Sequence, residues 1–202
     1  MTVNAQILVN AQALVNTQIL ENAQTYRDVM ARLAMPVTVV TTVDPAGRSH
    51  GATIGSVASL SLDPPLVMFA LGRGASLHRP VCESTRFAIS ILTAAQRAVA
   101  ERFSGDATAR FDGDTALFDG LPVVADAAAW LVCERWQLVA AGDHTVVIGR
   151  VEHAVRGVGA RGAAPVGPLV YHERGYHELG ALAEGTEGMA RCQAPFAEAL
   201  GH

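Results

Sequence analysis

The chain has 202 residues, half of them hydrophobic and 17% charged, with a formal net charge of −4, which suits one domain with one sizeable core better than two. All fifteen basic residues are arginine, so Schiff-base, phosphate-loop and general-base chemistry that needs a lysine is excluded, and the acidic balance gives no basic footprint for nucleic acid or an anionic membrane. No run of about eighteen uncharged apolar residues occurs and the N-terminus lacks a basic secretory n-region, so the expectation is a soluble, cytoplasmic protein that does not enter the membrane. Cys82, Cys133 and Cys192 are odd in number and far apart, the pattern of buried reduced thiols rather than of disulfides or a zinc site.

Residues 3–26 carry a six-residue repeat with Asn4, Asn10, Asn16 and Asn22 in register. An even period keeps each position on one side of a strand, whereas a helix would smear it around its axis. Residues 1–24 therefore read as an arm without catalytic content, suited to packing on a second subunit. Tyr26, Val29, Met30 and Leu33 fall at helical spacing before Pro36, and the β-branched run 37–43 reads as a buried strand. Asp44-Pro45-Ala46-Gly47 is a turn that folds the chain back as a hairpin.

Residues 50–68 then read as strand, tight Ser/Gly passage and strand, with Asp63-Pro64-Pro65 breaking the ladder before the strand 66–71. Ile54, Val57, Leu60 and Leu62 alternate here with Thr53, Gly55, Ser56, Ser59 and Ser61. One face can enter a core while the other offers hydroxyls and bare backbone to a flat polar ring; a Ser/Thr-rich face turned to solvent is the competing reading.

Ser76, after the Gly72-Arg73-Gly74 cluster, is placed to cap a short helix that Pro80 enters or bends. A strand follows at 86–92, and Thr93 caps a helix ending near Phe103-Ser104-Gly105, where Gly105 can turn left-handed. Residues 106–120 read as a surface loop, 127–140 and 145–155 as strands joined by Ala141-Gly142-Asp143-His144, and 168–179 as a last strand, with a weakly patterned tail at 181–202. The sum is a mainly β domain over 25–180, a barrel with helical insertions, and no GxGxxG follows a strand to suggest a doubly wound sheet.

The order of the segments 36–67, FAISIL, AERFSG with Arg110-Phe111, Gly142-Asp143-His144 and PLVYHERGYHEL resembles the flavin reductase family, whose fold is the FMN-binding split β-barrel. The resemblance covers about residues 26–179. It implies a homodimer that uses NADH or NADPH to reduce free FMN or FAD, often as the reductase component of a two-component monooxygenase. It places the flavin against Thr53, Ile54, Gly55 and Ser56, against Ser59 and Ser61, and against Ser76. Phe103, Ser104 and Gly105 stand at the family's Phe-Ala-Gly, and Ser90 where many members carry Asn. The resemblance places His144 near the nicotinamide, although a loop histidine by itself reads equally as a surface or hydrogen-bonded structural residue. Two readings stay open for several residues: Arg110 meets a phosphate or the dinucleotide, or belongs to a solvated face with Asp106 and Asp112; Ser76 binds phosphate or is a plain cap; Tyr171 and Tyr176 close the ring pocket or pack in a core.

Hydride transfer between two rings is carried by the cofactors, so the protein needs only to stack, orient and exclude water. Odd spacing in one strand puts His172 and His177 on opposite faces, against a metal site, and even spacing puts Trp130 and Trp136 on the same face. FMN against FAD and NADH against NADPH stay open. A barrel that keeps its flavin tightly as a carrier or sensor, and one without any cofactor, are the competing functions.

Overall fold

A helix over residues 22–30 (α1) leads into β1 (Met35–Pro36), β2 (Thr38–Val43) and β3 (Ser49–Ile54). The structure, a computed structural model, describes residues 22–106, 109–157 and 167–179. The repeat arm, apart from its last residues, and the tail lie outside them. In β2 all but the last residue are buried, so its threonines have to find partners inside the protein. Thr38 Oγ1 donates to Ile54 O at 2.6 Å and Thr42 Oγ1 to Arg86 O at 2.7 Å, while Thr41 Oγ1 donates to Pro122 O. The turn to β3 is built on Asp44: Gly47 takes a φ of +80°, and Asp44 Oδ1 accepts the N–H groups of Ala46 and Arg48 at 2.9 Å each. Asp44 Oδ2 lies 2.9 Å from both Arg48 Nε and His50 Nε2. The Arg48 backbone N–H first, then the His50 side chain, hold this carboxyl well below the usual carboxylate range.

The chain continues through β4 (Ala58–Leu62), β5 (Pro65–Gly72), α2 (His78–Glu83), β6 (Arg86–Ile91), a 3-10 turn (Ala94–Gln96), α3 (Arg97–Ser104), β7 (Thr115–Phe118), β8 (Leu121–Val124), β9 (Ala129–Ala141), β10 (His144–Arg156), β11 (Leu169–His172) and β12 (Gly175–Glu178). Seven of these strands form one antiparallel sheet in the order β3-β2-β6-β9-β10-β5-β4. Its two edges, β3 and β4, are consecutive in the chain. The sheet wraps a core of Val40, Val67, Phe69, Leu71, Phe87, Ile89 and Val147, in which Phe69 and Phe87 meet edge to face at 5.3 Å. A second core lies between α3, β2 and β11 around Val39, Leu92, Phe103 and Leu169. This is the expected mainly β barrel with helical insertions.

Several local expectations gave way to turn chemistry. Residues 115–124 are a hairpin rather than part of a loop, because Asp119 and Gly120, with φ of +49° and +78°, form a two-residue turn of type I′. The last strand is also a hairpin: Glu173 and Arg174 both have positive φ, and Tyr171 pairs with Tyr176. His172 and His177 consequently sit on one face with ring centroids 5.9 Å apart, rather than on opposite ones. No metal-holding group of His, Cys, Asp or Glu occurs among the described residues. A register shift in the β9–β10 pairing skips Trp136, which is left 53% exposed, while Trp130 is half-buried and donates to Val124 O at 2.7 Å. Gly105 closes α3 with a φ of −86° rather than left-handed, its N–H reaching Glu101 O and Arg102 O. Thr93 does open the 3-10 turn, its N–H donating to Gln96 Oε1 at 3.1 Å.

Burial pushes the Cys133 thiol up to about 12, and burial likewise raises that of Cys82. Both are free thiols. Cys192 lies outside the described residues.

Two predictions follow from packing and charge. A Cβ at Gly149 would lie 2.3 Å from Phe87 Cζ and 3.0 Å from Cys133 Cβ, so Gly149→Ala is expected to lower stability by about 1–3 kcal/mol through overpacking, read from the urea midpoint. Because the folded pKa of Asp44 is depressed, its contribution is complete above its unfolded pKa of about 3.9 and is lost as pH falls through the folded value. Asp44→Asn should flatten the acid limb of a thermal-melt pH series below about pH 4.

Candidate functional site

The edge strand β3 turns half of its backbone groups away from β2, and the link Gly55-Ser56-Val57 carries the chain across the barrel's opening to β4. Ser56 bridges that opening: its Oγ donates to Ala70 O and accepts the Ala70 N–H, both at 3.0 Å. Beside it lies a cleft of about 520 Å³. Ala52, Thr53, Ile54, Gly55 and Ser56 form one wall, and Ala70, Leu71, Gly72, Ala75 and Ser76 the other. Met35, Phe103, Ser104, Arg110 and His144 complete the lining.

Most hydroxyls here fix the walls. Thr53 Oγ1 donates to Ala100 O at 2.7 Å, anchoring β3 to α3, and Ser104 Oγ donates to Glu101 O at 2.9 Å. Ser76 does not cap α2, whose N-cap is Leu77 without a side-chain bond. Its Oγ instead accepts Arg110 Nη1 at 3.0 Å, which leaves its own O–H to donate. Arg110 also donates from Nη1 to Gly51 O and from Nη2 to Gly105 O, each at 2.7 Å. Its buried Nε has no hydrogen-bond partner among the described residues. Three segments, β3, the β5–α2 loop and the end of α3, thus meet on one guanidinium.

At the other side His144 begins β10 directly after a two-residue turn in which Gly142 takes a φ of +59°. Its side chain is 47% exposed, and Nδ1 lies 2.7 Å from Asp143 Oδ1. That bond holds the Asp143 carboxyl below its ordinary value. With Nδ1 engaged, Nε2 is the ring nitrogen left for a ligand.

Thr53, Ile54, Gly55, Ser56, Ser76, Phe103, Ser104, Arg110 and His144 therefore share one cleft, and Gly105 borders it through the carbonyl that holds Arg110. Tyr171 lines an adjoining chamber of about 510 Å³, which shares Met35, Thr53, Gly55 and Ser104 with the cleft. Tyr176 lines that chamber too, and packs against Tyr171 at 5.3 Å.

Three residues are not brought to the cleft. Ser59 and Ser61 line a separate apolar chamber of about 420 Å³ with Val57, Leu66 and Leu131, because β4 has by then crossed the opening. Ser90 is fully buried, and its Oγ accepts the Val124 N–H at 3.0 Å. The lining residues Met35, Ala70, Gly72 and Ala75 carry no polar side chain, and the one sequence signal, for the last three, is the run of small residues at and just after the end of β5.

The cleft fits a flavin on its own terms. Its volume lies within the roughly 300–1,000 Å³ that encloses a small ligand. Small side chains leave backbone accessible to a planar, carbonyl-rich ring, and Arg110 with the Ser76 O–H supplies donors for a phosphate without lysine.

Comparison with known proteins gives the family. The chain belongs to the flavin reductase like domain family, whose model matches residues 30–180. It is 43% identical over 156 residues to an NADH:riboflavin 5′-phosphate oxidoreductase of Streptomyces pristinaespiralis, covering 76% of this chain and 86% of that one. Among solved structures it is similar to an NADH:FAD oxidoreductase of Streptomyces globisporus bound to NAD and FAD fragments. The TM-score is 0.73 at 30% identity, over 81% of this chain and 96% of that one. It is also similar to the styrene monooxygenase flavin reductase of Pseudomonas putida, with a TM-score of 0.70 at 30% identity, over 79% of this chain and 99% of that one. The fold and the class of enzyme, a flavin oxidoreductase using a reduced nicotinamide, are those of these relatives.

If Arg110 holds the flavin phosphate, Arg110→Ala removes a charged donor worth about 1.5–3 kcal/mol. FMN affinity should fall about tenfold or more, and by more than riboflavin affinity, in fluorescence-quenching titrations.

Proposed function

We propose that this chain binds free FMN or FAD along β3 and reduces it with NADH or NADPH, releasing reduced flavin to a separate monooxygenase. The observation that carries the reading is the cleft itself: backbone and small side chains on both walls, Arg110 at one side and His144 at the other. The flavin supplies the hydride acceptor and the nicotinamide the hydride. The protein's part is to hold two rings face to face and exclude water.

Accessible backbone of β3 and of the link at Gly55 and Ser56 orients the ring edge, and backbone N–H groups aimed there stabilise negative charge as it develops. Ser76 and Arg110 hold the phosphate. His144 Nε2 orients the nicotinamide or its amide, with Asp143 fixing the imidazole through Nδ1. Phe103, packed edge to face on Phe111 at 5.3 Å, and Ser104 support the cleft from α3, and Tyr171 closes the adjoining chamber where a second ring enters.

We further infer a homodimer and a cytoplasmic location. The dimer reading is supported by the apolar chamber at the barrel's opening and by α1, where Tyr26 and Val29 are 64% and 63% exposed in the single chain. The location is supported by free thiols and by the lack, among the described residues, of a helix long and apolar enough to cross a membrane.

Purified protein with free FMN or FAD is expected to oxidise NADH faster than the flavin alone. No acceleration with any flavin and nicotinamide pair would overturn the reading, and yellow colour surviving extensive dialysis would favour a tightly bound carrier instead. His144→Ala should lower kcat/KM for the nicotinamide about tenfold to a hundredfold, the size of a misplaced reacting group, while FMN affinity from quenching stays the same.

A further inference from the structure

Beyond Arg110 lies a smaller cavity of about 220 Å³ that continues the cleft, sharing Ser76 and Arg110 with it and otherwise lined by Arg48, Ser49, His50, Gly51, Leu77 and Phe111. We propose that this cavity seats the second phosphate and ribose of FAD, so that the protein distinguishes FAD from FMN at Arg48 and His50. The assignment rests on the flavin reductase reading of the cleft.

Hydrogen-bond donors are placed for it. Asp44, whose side chain is 7% exposed, holds Arg48 through Nε and Nη2 and His50 through Nε2. It thereby aims both side chains without using Arg48 Nη1 or His50 Nδ1, which have no partner among the described residues. Arg48 is itself 75% exposed, and its guanidinium is a flat face on which a base can stack at the mouth. The cavity is too small for a whole adenylyl group, so the adenine stays at that mouth. Arg110 stands between the two chambers, and a diphosphate spanning them places one phosphate on either side of it. A guanidinium presents its donors to phosphate oxygens in a fixed plane, and Arg48 Nη1 is the donor that the Asp44 pair leaves over.

The 2′-phosphate of NADPH has the same chemistry, and the test separates the two sources. The full-length protein is titrated with riboflavin, FMN and FAD by fluorescence quenching, alongside Arg48→Gln and Ser49→Asp, the second placing a negative charge in the cavity from an exposed position. Wild type should bind FAD several-fold tighter than FMN. Both variants should weaken FAD about tenfold with FMN and riboflavin unchanged. FAD affinity unmoved in the variants, or an equal loss for FMN and FAD, overturns the subsite. KM for NADPH rising at saturating FMN, with FAD affinity intact, overturns it in favour of the nicotinamide nucleotide. Wild-type protein that binds no flavin at all fails the underlying reading instead.

Discussion

The hydroxyl of Ser56 ties the β3–β4 link to β5 where the sheet is open. A seven-stranded antiparallel sheet that ends in β3 and β4 leaves two edges, and edges are exposed rows of unpaired N–H and C=O groups. Ser56 substitutes for a strand neighbour at one point by taking both backbone groups of Ala70. Because the clamp is a single side chain, the chain can cross from β3 to β4 while the backbone around Gly55 stays open. The cleft exists because the sheet is fastened there rather than closed.

The same economy governs the polar groups. An unsatisfied buried hydroxyl costs about 1–3 kcal/mol, and in this protein the buried hydroxyls of Thr38, Thr41 and Thr42, and the less buried ones of Thr53 and Ser104, end on carbonyl oxygens. They rigidify the structure around the cleft, whose lining also presents main-chain groups, the Ser76 O–H and Arg110. That division suits a substrate which must arrive, react and leave: geometry is fixed in advance, and few contacts have to be broken on release.

The architecture was legible where hydrophobic pattern and turn chemistry spoke together. The β-branched run of β2, the Asp44 turn, the Pro break before β5 and the long β9–β10 pair all read correctly, because burial on a pleated sheet demands those residue types. The cleft was legible through family resemblance and through the run from Thr53 to Ser56. Ser59, Ser61 and Ser90 were not separable from it, since alternation gives a face but not what the face meets. In Ser90 that is the N–H of Val124, brought there by a hairpin whose Asp119-Gly120 signal was present in the sequence and overlooked. Glu173-Arg174 carried no such signal, as neither residue favours positive φ, and the bulge at Trp136 likewise depends on the partner strand.

The two thiols have a consequence for durability. Reduced flavin that escapes into air passes its electrons to dioxygen and yields hydrogen peroxide, so an enzyme of this class works beside an oxidant of its own making. Peroxide attacks thiolate, the first rung toward sulfenic acid. Burial pushes the Cys133 thiol up to about 12 and raises that of Cys82 as well, so less of either sulfur is thiolate than in an exposed cysteine. The sulfur of Cys133, inside the barrel's core, is thereby set apart from leaked product by desolvation.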